Sequence, residues 1–463
     1  MKFLPIVCLL FLIPLSVPGS DTPSQEWKVP VAEKTLSNGL RVVVSRDDSA
    51  PTFGLCVTYG IGFRLEPKGR TGFAHLFEHM MFEGTPDAPK GVFDRVIEGG
   101  GGWDNGDTRF DFTEYIETAP LSALDPVLWL EADRMKALNF SQANLDNQRK
   151  VVKEEVRVNI LNQPYGGFFW LDLPQKAFDK YPNAHNFYGD FDDLDAASLQ
   201  DVRNFFEQYY VPNNAVLSVV GDVTPEEVFE KAEKYFGSIP RREVPPKPDV
   251  SETPQTAERR SVEYDKLARV PAVAIGYRVP PADSADAIVG AVVGEILHNG
   301  QASRLYQVLV KQKEVALEVD GGVNWPLGSP YAYGGPTLMT SLIYYPPKVT
   351  EQQVLKAYDE VIENLTTNGA SPTELERVLT KMRSDWYSQL EMPVTRASIL
   401  GQLTLFGGGP NRVNEIPEEI SQVTSKEIEA FARKYLASRN RTIINRVPAS
   451  LAHTEEAGAK GAH

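Results

Sequence analysis

The chain has 463 residues, 42% hydrophobic and 24% charged. That balance excludes wholesale disorder, and the length exceeds what one hydrophobic core usually holds. A formal net charge of −15 argues against a nucleic-acid binder, which needs a basic surface to displace counterions.

The first element reads as an export signal. Lys2 supplies a short positive region, residues 3–17 are almost wholly apolar, and the run ends at the small residue Gly19. About fifteen apolar residues fall short of the ~20 that span a bilayer. Residues 1–20 are therefore expected to be a signal peptide, with the protein periplasmic or secreted and without a membrane span. Cys56 is then the sole remaining cysteine, which leaves no intrachain disulfide.

The next segment opens on Ser37-Asn38-Gly39-Leu40, a tight-hairpin signal followed by the β-branched run 42–44. A strand over 53–59 leads through Gly60 and Gly62 to a helix starting near Thr71. Residues 120–138 and 144–161 read as helices, 205–210 as the end of another, and 215–220 as a short apolar strand. Prolines 240, 245, 246, 248 and 254 interleave with charges and no apolar period survives there. Residues 241–262 are thus expected to form a semi-rigid linker between a domain over 28–240 and one over 263–450. The two halves resemble each other. Ser198 and Asp201 open a unit that runs through Phe205 and Tyr209 to Asn214 and a strand. Thr424 and Glu427 open one that runs through Phe431 and Tyr435 to Asn440 and a strand, in the same register. That spacing suits a capping box at the second start and approximates one at the first, where the acid is Asp201. Residues 451–463 are small and polar and read as a disordered tail.

The chemistry concentrates in Gly72-Phe73-Ala74-His75-Leu76-Phe77-Glu78-His79-Met80. On a helix, His75 and His79 project from one face a turn apart, with Glu78 beside them. Two imidazoles at that spacing suit a single zinc ion, and the carboxylate is placed to take a proton from water and return it to a leaving amine. H-x-x-E-H is the inverted zincin signature. A lone histidine on such a helix would more often be structural, but here two of the six in the chain stand four apart around an acid.

A third ligand must come from elsewhere, and Val151-Val152-Lys153-Glu154-Glu155 resembles the ligand helix of the pitrilysin, insulin-degrading enzyme and mitochondrial processing peptidase family. The resemblance places the third ligand on Glu155, with one Zn2+ per chain, and Glu154 as an exposed helix charge. It places Gln148, where the family often has an acid, behind the ligands. Phe82-Glu83-Gly84-Thr85, Tyr210-Val211-Pro212-Asn213-Asn214 and Val219-Val220-Gly221-Asp222 match further landmarks. Asn105-Gly106-Asp107-Thr108 resembles the edge strand against which the family lays an extended substrate, which implicates Asn105, Gly106 and Thr108. The Gly99–Gly102 run before it has no phosphate-loop context and reads as a turn.

The second half has Glu295 and His298 but no H-x-x-E-H. In the family, metal-free halves often supply an arginine and a tyrosine after an S-R-L-[YF] segment. Here that segment is Ser303-Arg304-Leu305-Tyr306, yet the aligned positions are Val310 and Leu317, which donate no hydrogen bond. The resemblance therefore implies an α+β fold of two homologous domains, each an antiparallel-rich sheet with packed helices, together forming half of a clamshell. It implies zinc-dependent endopeptidase activity on small or unfolded polypeptides, with a homologous second subunit supplying the Arg and Tyr. A non-catalytic scaffold or peptide-binding member of the same family is the alternative.

Overall fold

The computed structural model describes residues 27–451; the expected signal segment, and the tail from residue 452, lie outside the described residues. The first half contributes β1 (Ala32–Thr35), β2 (Arg41–Arg46), β3 (Thr52–Tyr59), β4 (Trp103–Thr108), β5 (Thr113–Pro120) and β6 (Ala215–Gly221). The second contributes β7 (Arg259–Asp265), β8 (Ala272–Val279), β9 (Glu318–Val323), β10 (Thr337–Tyr344) and β11 (Arg441–Pro448). They form a six-stranded sheet ordered β1-β2-β6-β3-β5-β4 and a five-stranded sheet ordered β7-β11-β8-β10-β9. The second repeats the first without β1: a parallel pair, β2·β6 or β7·β11, followed by three antiparallel neighbours. The fold is the expected α+β type with two like halves.

Strand alternation decides which core each residue joins. In β2, Val42 and Val44 pack with Phe73, Leu76 and Phe77, whereas Val43 faces the other way, into a core with Ala397, Leu400 and Leu403. The halves thus exchange cover. Helix Pro393–Phe406 of the second half packs on the first sheet, and residues Phe168, Leu173, Ala177 and Phe178 of the first half pack on Ala272, Ala274 and Ile444 of the second. Close approach makes small residues obligatory there. A Cβ on Gly54 would lie 2.2 Å from Val394 N.

The expected linker needs correction at its end, because β7 begins at Arg259, inside 241–262. Nor is the rest a free spacer. Glu252 accepts from Asp179 N and Lys180 N at 3.0 and 3.2 Å, and Gln255 Nε2 donates to Arg441 O at 2.7 Å. Prolines remove backbone donors from this segment, but its side chains pin it to both halves. Residues 120–123 are likewise not α-helical: Pro120 ends β5 and the helix runs Leu124–Lys136. The expected helix 144–161 is α-helical over Gln142–Val156 and continues as a π-helical turn over Arg157–Leu161. Both predicted capping boxes are formed, by Ser198 with Asp201 and by Thr424 with Glu427.

Candidate metal centre and peptide cleft

Helix Phe73–Met80 is amphipathic: Phe73, Leu76, Phe77 and Met80 are buried and hold it against the sheet. Its start is fixed by Glu66, whose Oε2 accepts from Gly72 N at 3.0 Å and whose Oε1 accepts from Ala74 N at 2.9 Å. His185 Nε2 lies 2.9 Å from Glu66 Oε2 while its Nδ1 donates to Tyr181 O at 2.8 Å. Burial opposes a charged His185, but the hydrogen bond and charge of Glu66 outweigh it and hold the imidazole above its usual value. Gly72 adopts φ +79°, where a Cβ would also meet Gly189 Cα at 2.6 Å, so glycine is required twice over.

Three polar side chains converge from this helix and from Gln142–Val156. His75 Nε2 and His79 Nε2 are 3.3 Å apart, and Glu155 Oε2 lies 3.3 Å from the first and 3.5 Å from the second. Hydrogen bonds from His75 and then His79 hold the Glu155 carboxyl well below the usual carboxylate range, against the opposing effect of burial. At His79 burial lowers the pKa, but Glu155 and then Glu78 raise it further. Among the described residues this is the one cluster of three His, Cys, Asp or Glu side chains whose ligand atoms gather in this way.

The donor set fits zinc. Ligand atoms held at about 2.0–2.1 Å in a tetrahedron stand about 3.3–3.5 Å from one another, the spacing found here. Among the described residues buried His75 Nδ1 has no hydrogen-bond partner, while its Nε2 faces Glu155 and His79, so the polar contacts of this ring all lie on the side where a cation would sit. Glu154 turns outward and binds Arg157 at 3.1 Å. Gln148 Nε2 donates to Glu83 Oε1 at 2.5 Å. Its buried Oε1 makes no well-formed hydrogen bond, although the side chain lies near enough to His79 to favour the protonated ring.

Glu78 is held from the sheet side. Thr108 Oγ1 donates to Glu78 Oε2 at 2.5 Å, and a Cβ on Gly106 would lie 2.9 Å from Glu78 Cγ. Thr108 and Gly106 face the helix on alternate positions of β4. Asn105, the residue before Gly106, falls on the opposite face and is not among the residues that line the cleft at the cluster. Because β4 ends its sheet, its outer backbone groups face no neighbouring strand among the described residues.

The cluster opens into a cleft of about 370 Å³ lined by Phe63, Trp170, Phe187 and Tyr188, with Asp107 and Arg109 from the β4 end and Pro326 and Leu327 from the second half. Burial pushes the Asp107 carboxyl up to about 7, against the pull of Arg109. Sequence reasoning did not single out Glu66, His185, Tyr188 or Arg109. The one available signal was the aromatic-glycine run Phe187-Tyr188-Gly189 after an isolated histidine. In the second half, Arg304 is engaged by Glu374 at 2.6 Å, Val310 is partly buried and Leu317 exposed.

A family model described as Insulinase (Peptidase family M16) matches residues 41–165, and one described as Peptidase M16 inactive domain matches residues 196–382. The chain belongs to the pitrilysin family, peptidase family M16. Over 380 residues it is 29% identical to the Zinc protease PqqE of Helicobacter pylori, spanning 81% of this chain and 83% of that one. Over 405 residues it is 23% identical to the Uncharacterized zinc protease YmxG of Bacillus subtilis, spanning 86% and 94%. A solved protease from Helicobacter pylori superposes with a TM-score of 0.84 at 25% identity, covering 91% of this chain and 100% of that one. The periplasmic protease PqqL of Escherichia coli superposes at 0.72 with 18% identity, covering 92% of this M16 chain but 48% of PqqL.

Proposed function

We propose that this M16 chain is a zinc-dependent endopeptidase for small or unfolded polypeptides, the metal-bearing subunit of a pair with a homologous metal-free partner. The carrying observation is the convergence of His75 Nε2, His79 Nε2 and Glu155 Oε2 at 3.3–3.5 Å, with Glu78 on the same helix. Bound there, zinc would supply Lewis acidity, polarising a scissile carbonyl and acidifying water. Glu78 takes the proton of the attacking water and returns it to the leaving amine, and Thr108 holds the carboxylate in line for both transfers. The free edge of β4 offers backbone groups to an extended peptide, which gives affinity without reading side chains. Asn105, Gly106 and Thr108 lie in that strand; Gly106 lets Glu78 approach, and Asn105 acts only through its backbone or its outward face. Gln148 steadies the ligand helix from behind.

The partner is proposed because an oxyanion needs donors, and Val310 and Leu317 offer none. PqqL, about half of which this chain matches in fold, fits a two-unit arrangement. Export to the periplasm or beyond follows from residues 1–20 and fits the name of PqqL. Among the described residues no helix is long and apolar enough to cross a membrane.

Bound zinc and cleavage of a quenched peptide, measured for the wild type and Glu78→Gln with and without a homologous metal-free chain, test this reading. Zinc in both, and turnover only in the wild type with its partner, is expected. Full turnover by the isolated chain rules out the partner. A chain that binds no zinc and cleaves nothing is the scaffold or peptide-binding alternative.

A further inference from the structure

The cleft beside the candidate metal ligands carries three carboxylates, Glu78, Asp107 and Glu155, and a single Arg or Lys, Arg109. Arg109 directly follows Thr108, the last residue of β4, so it stands one position from the side chain that holds Glu78. Its Nε lies 2.7 Å from Asp107 Oδ2. Its Nη atoms form no hydrogen bond to another described side chain. One edge of the guanidinium is therefore anchored and the fork of two Nη groups is left for another acceptor.

The metal centre gives this cation no other task. Neither Glu78 nor Glu155 is its ion-pair partner: Glu78 is held by Thr108 and Glu155 by the two imidazoles. The walls around it are aromatic, Phe63, Trp170, Phe187 and Tyr188, closed by Pro326 and Leu327 from the second half. Apolar walls limit water around the guanidinium and strengthen any ion pair made there. They also accept the methylenes of a side chain that ends in a charge. A planar fork of N–H donors matches a carboxylate in two parallel hydrogen bonds, which a neutral amide or an ammonium does not reproduce.

We infer that Arg109 is a specificity-determining residue that takes the carboxylate of an Asp or Glu side chain next to the scissile bond. The inference rests on the peptidase reading above. A peptide extended along β4 advances about 3.4 Å per residue, so the side chain that meets Arg109 lies within about two residues of the bond on which Glu78 acts. Asp107 sets the angle of the guanidinium, and the aromatic walls hold the stem of the bound residue. The preferred substrates are thus peptides with one acid beside the cleavage point, in spite of the acidic chain as a whole.

The test uses a quenched peptide without charged residues, cut by the zinc-loaded chain with its partner and mapped by mass spectrometry. Each position within two residues of the cut is then replaced by Glu, Gln or Lys. Cleavage of the neutral parent reports on the peptidase reading, and the Glu-to-Gln ratio of kcat/KM reports on Arg109. One position should favour Glu over Gln by about ten-fold or more, with Lys the poorest. The ratio should fall to near one in Arg109→Gln, lie between in Arg109→Lys, and turn in favour of Lys in Arg109→Glu. Binding of the same peptides to the Glu78→Gln chain, followed by fluorescence anisotropy, should show the same order without turnover. Circular dichroism confirms that the variants are folded. A wild type with no position that prefers Glu, an Arg109→Gln chain that keeps the preference, or a Glu78→Gln chain that binds all the peptides equally or not at all, overturns it.

Discussion

Replacing Glu66 by alanine removes the acceptor that starts the metal-ligand helix. Three contacts go together: Gly72 N at 3.0 Å, Ala74 N at 2.9 Å and His185 Nε2 at 2.9 Å. All three donors then lie buried or nearly so, with no carboxylate to replace. An N-terminal cap contributes about 0.5–2 kcal/mol, and breaking a buried ion pair on one side costs about 3–5 kcal/mol. Burial already disfavours an ionised Glu66, which offsets part of the gain, and the terms share one carboxylate, so they do not add. The expected loss is about 3–5 kcal/mol. With a urea dependence of about 2–3 kcal/mol per molar, the midpoint of unfolding falls by about 1–2.5 M. The measurement belongs on metal-free protein in EDTA, so that bound metal adds nothing to either variant. Glu66→Gln keeps one acceptor oxygen and should fall between alanine and wild type. A Glu66→Ala midpoint within about 0.3 M of wild type would refute the view that this carboxylate anchors the helix.

Two further outcomes follow from the geometry. Gly106→Val places carbon where a Cβ already lies 2.9 Å from Glu78 Cγ and 3.2 Å from Phe82 Cε2; turnover should drop by ten-fold or more while bound zinc, measured by mass spectrometry, stays at the wild-type level. The His185 pKa is raised in the folded chain, so its contribution to stability is fully present below the unfolded value of about 6.5 and is lost as pH rises through the higher folded value. The stability difference between wild type and His185→Gln, read by urea titration of metal-free protein, should therefore shrink from pH 6 toward alkaline pH; a constant difference contradicts a charged His185.

Much of the candidate site was legible because its signals are local. His75, Glu78 and His79 share one helix turn, and both capping boxes lie within three residues. Asn38-Gly39 gives the turn between β1 and β2, with Gly39 at φ +92°. Glu155 needed more than spacing, since Glu154 fits a helix face equally well; the family resemblance chose between them, and the fold brings Glu155 to the histidines. What escaped were contacts between distant segments. Glu66 and His185 lie 119 positions apart, and neither has a periodic signature. Helix Pro393–Phe406 reads like any buried helix, with nothing in its pattern to reveal that its face belongs to the other half's sheet. The proline-rich 241–258 stretch is non-periodic because its contacts are single side-chain hydrogen bonds, which leave no pattern to read.

The central claim is most directly tested by zinc stoichiometry across four proteins: wild type, Glu78→Gln, His79→Ala and Glu155→Ala. One zinc per chain in the first two, and none retained after dialysis against a weak chelator in the last two, is the predicted result. Zinc held equally well by Glu155→Ala, or lost from Glu78→Gln, would contradict the assignment of ligands and base.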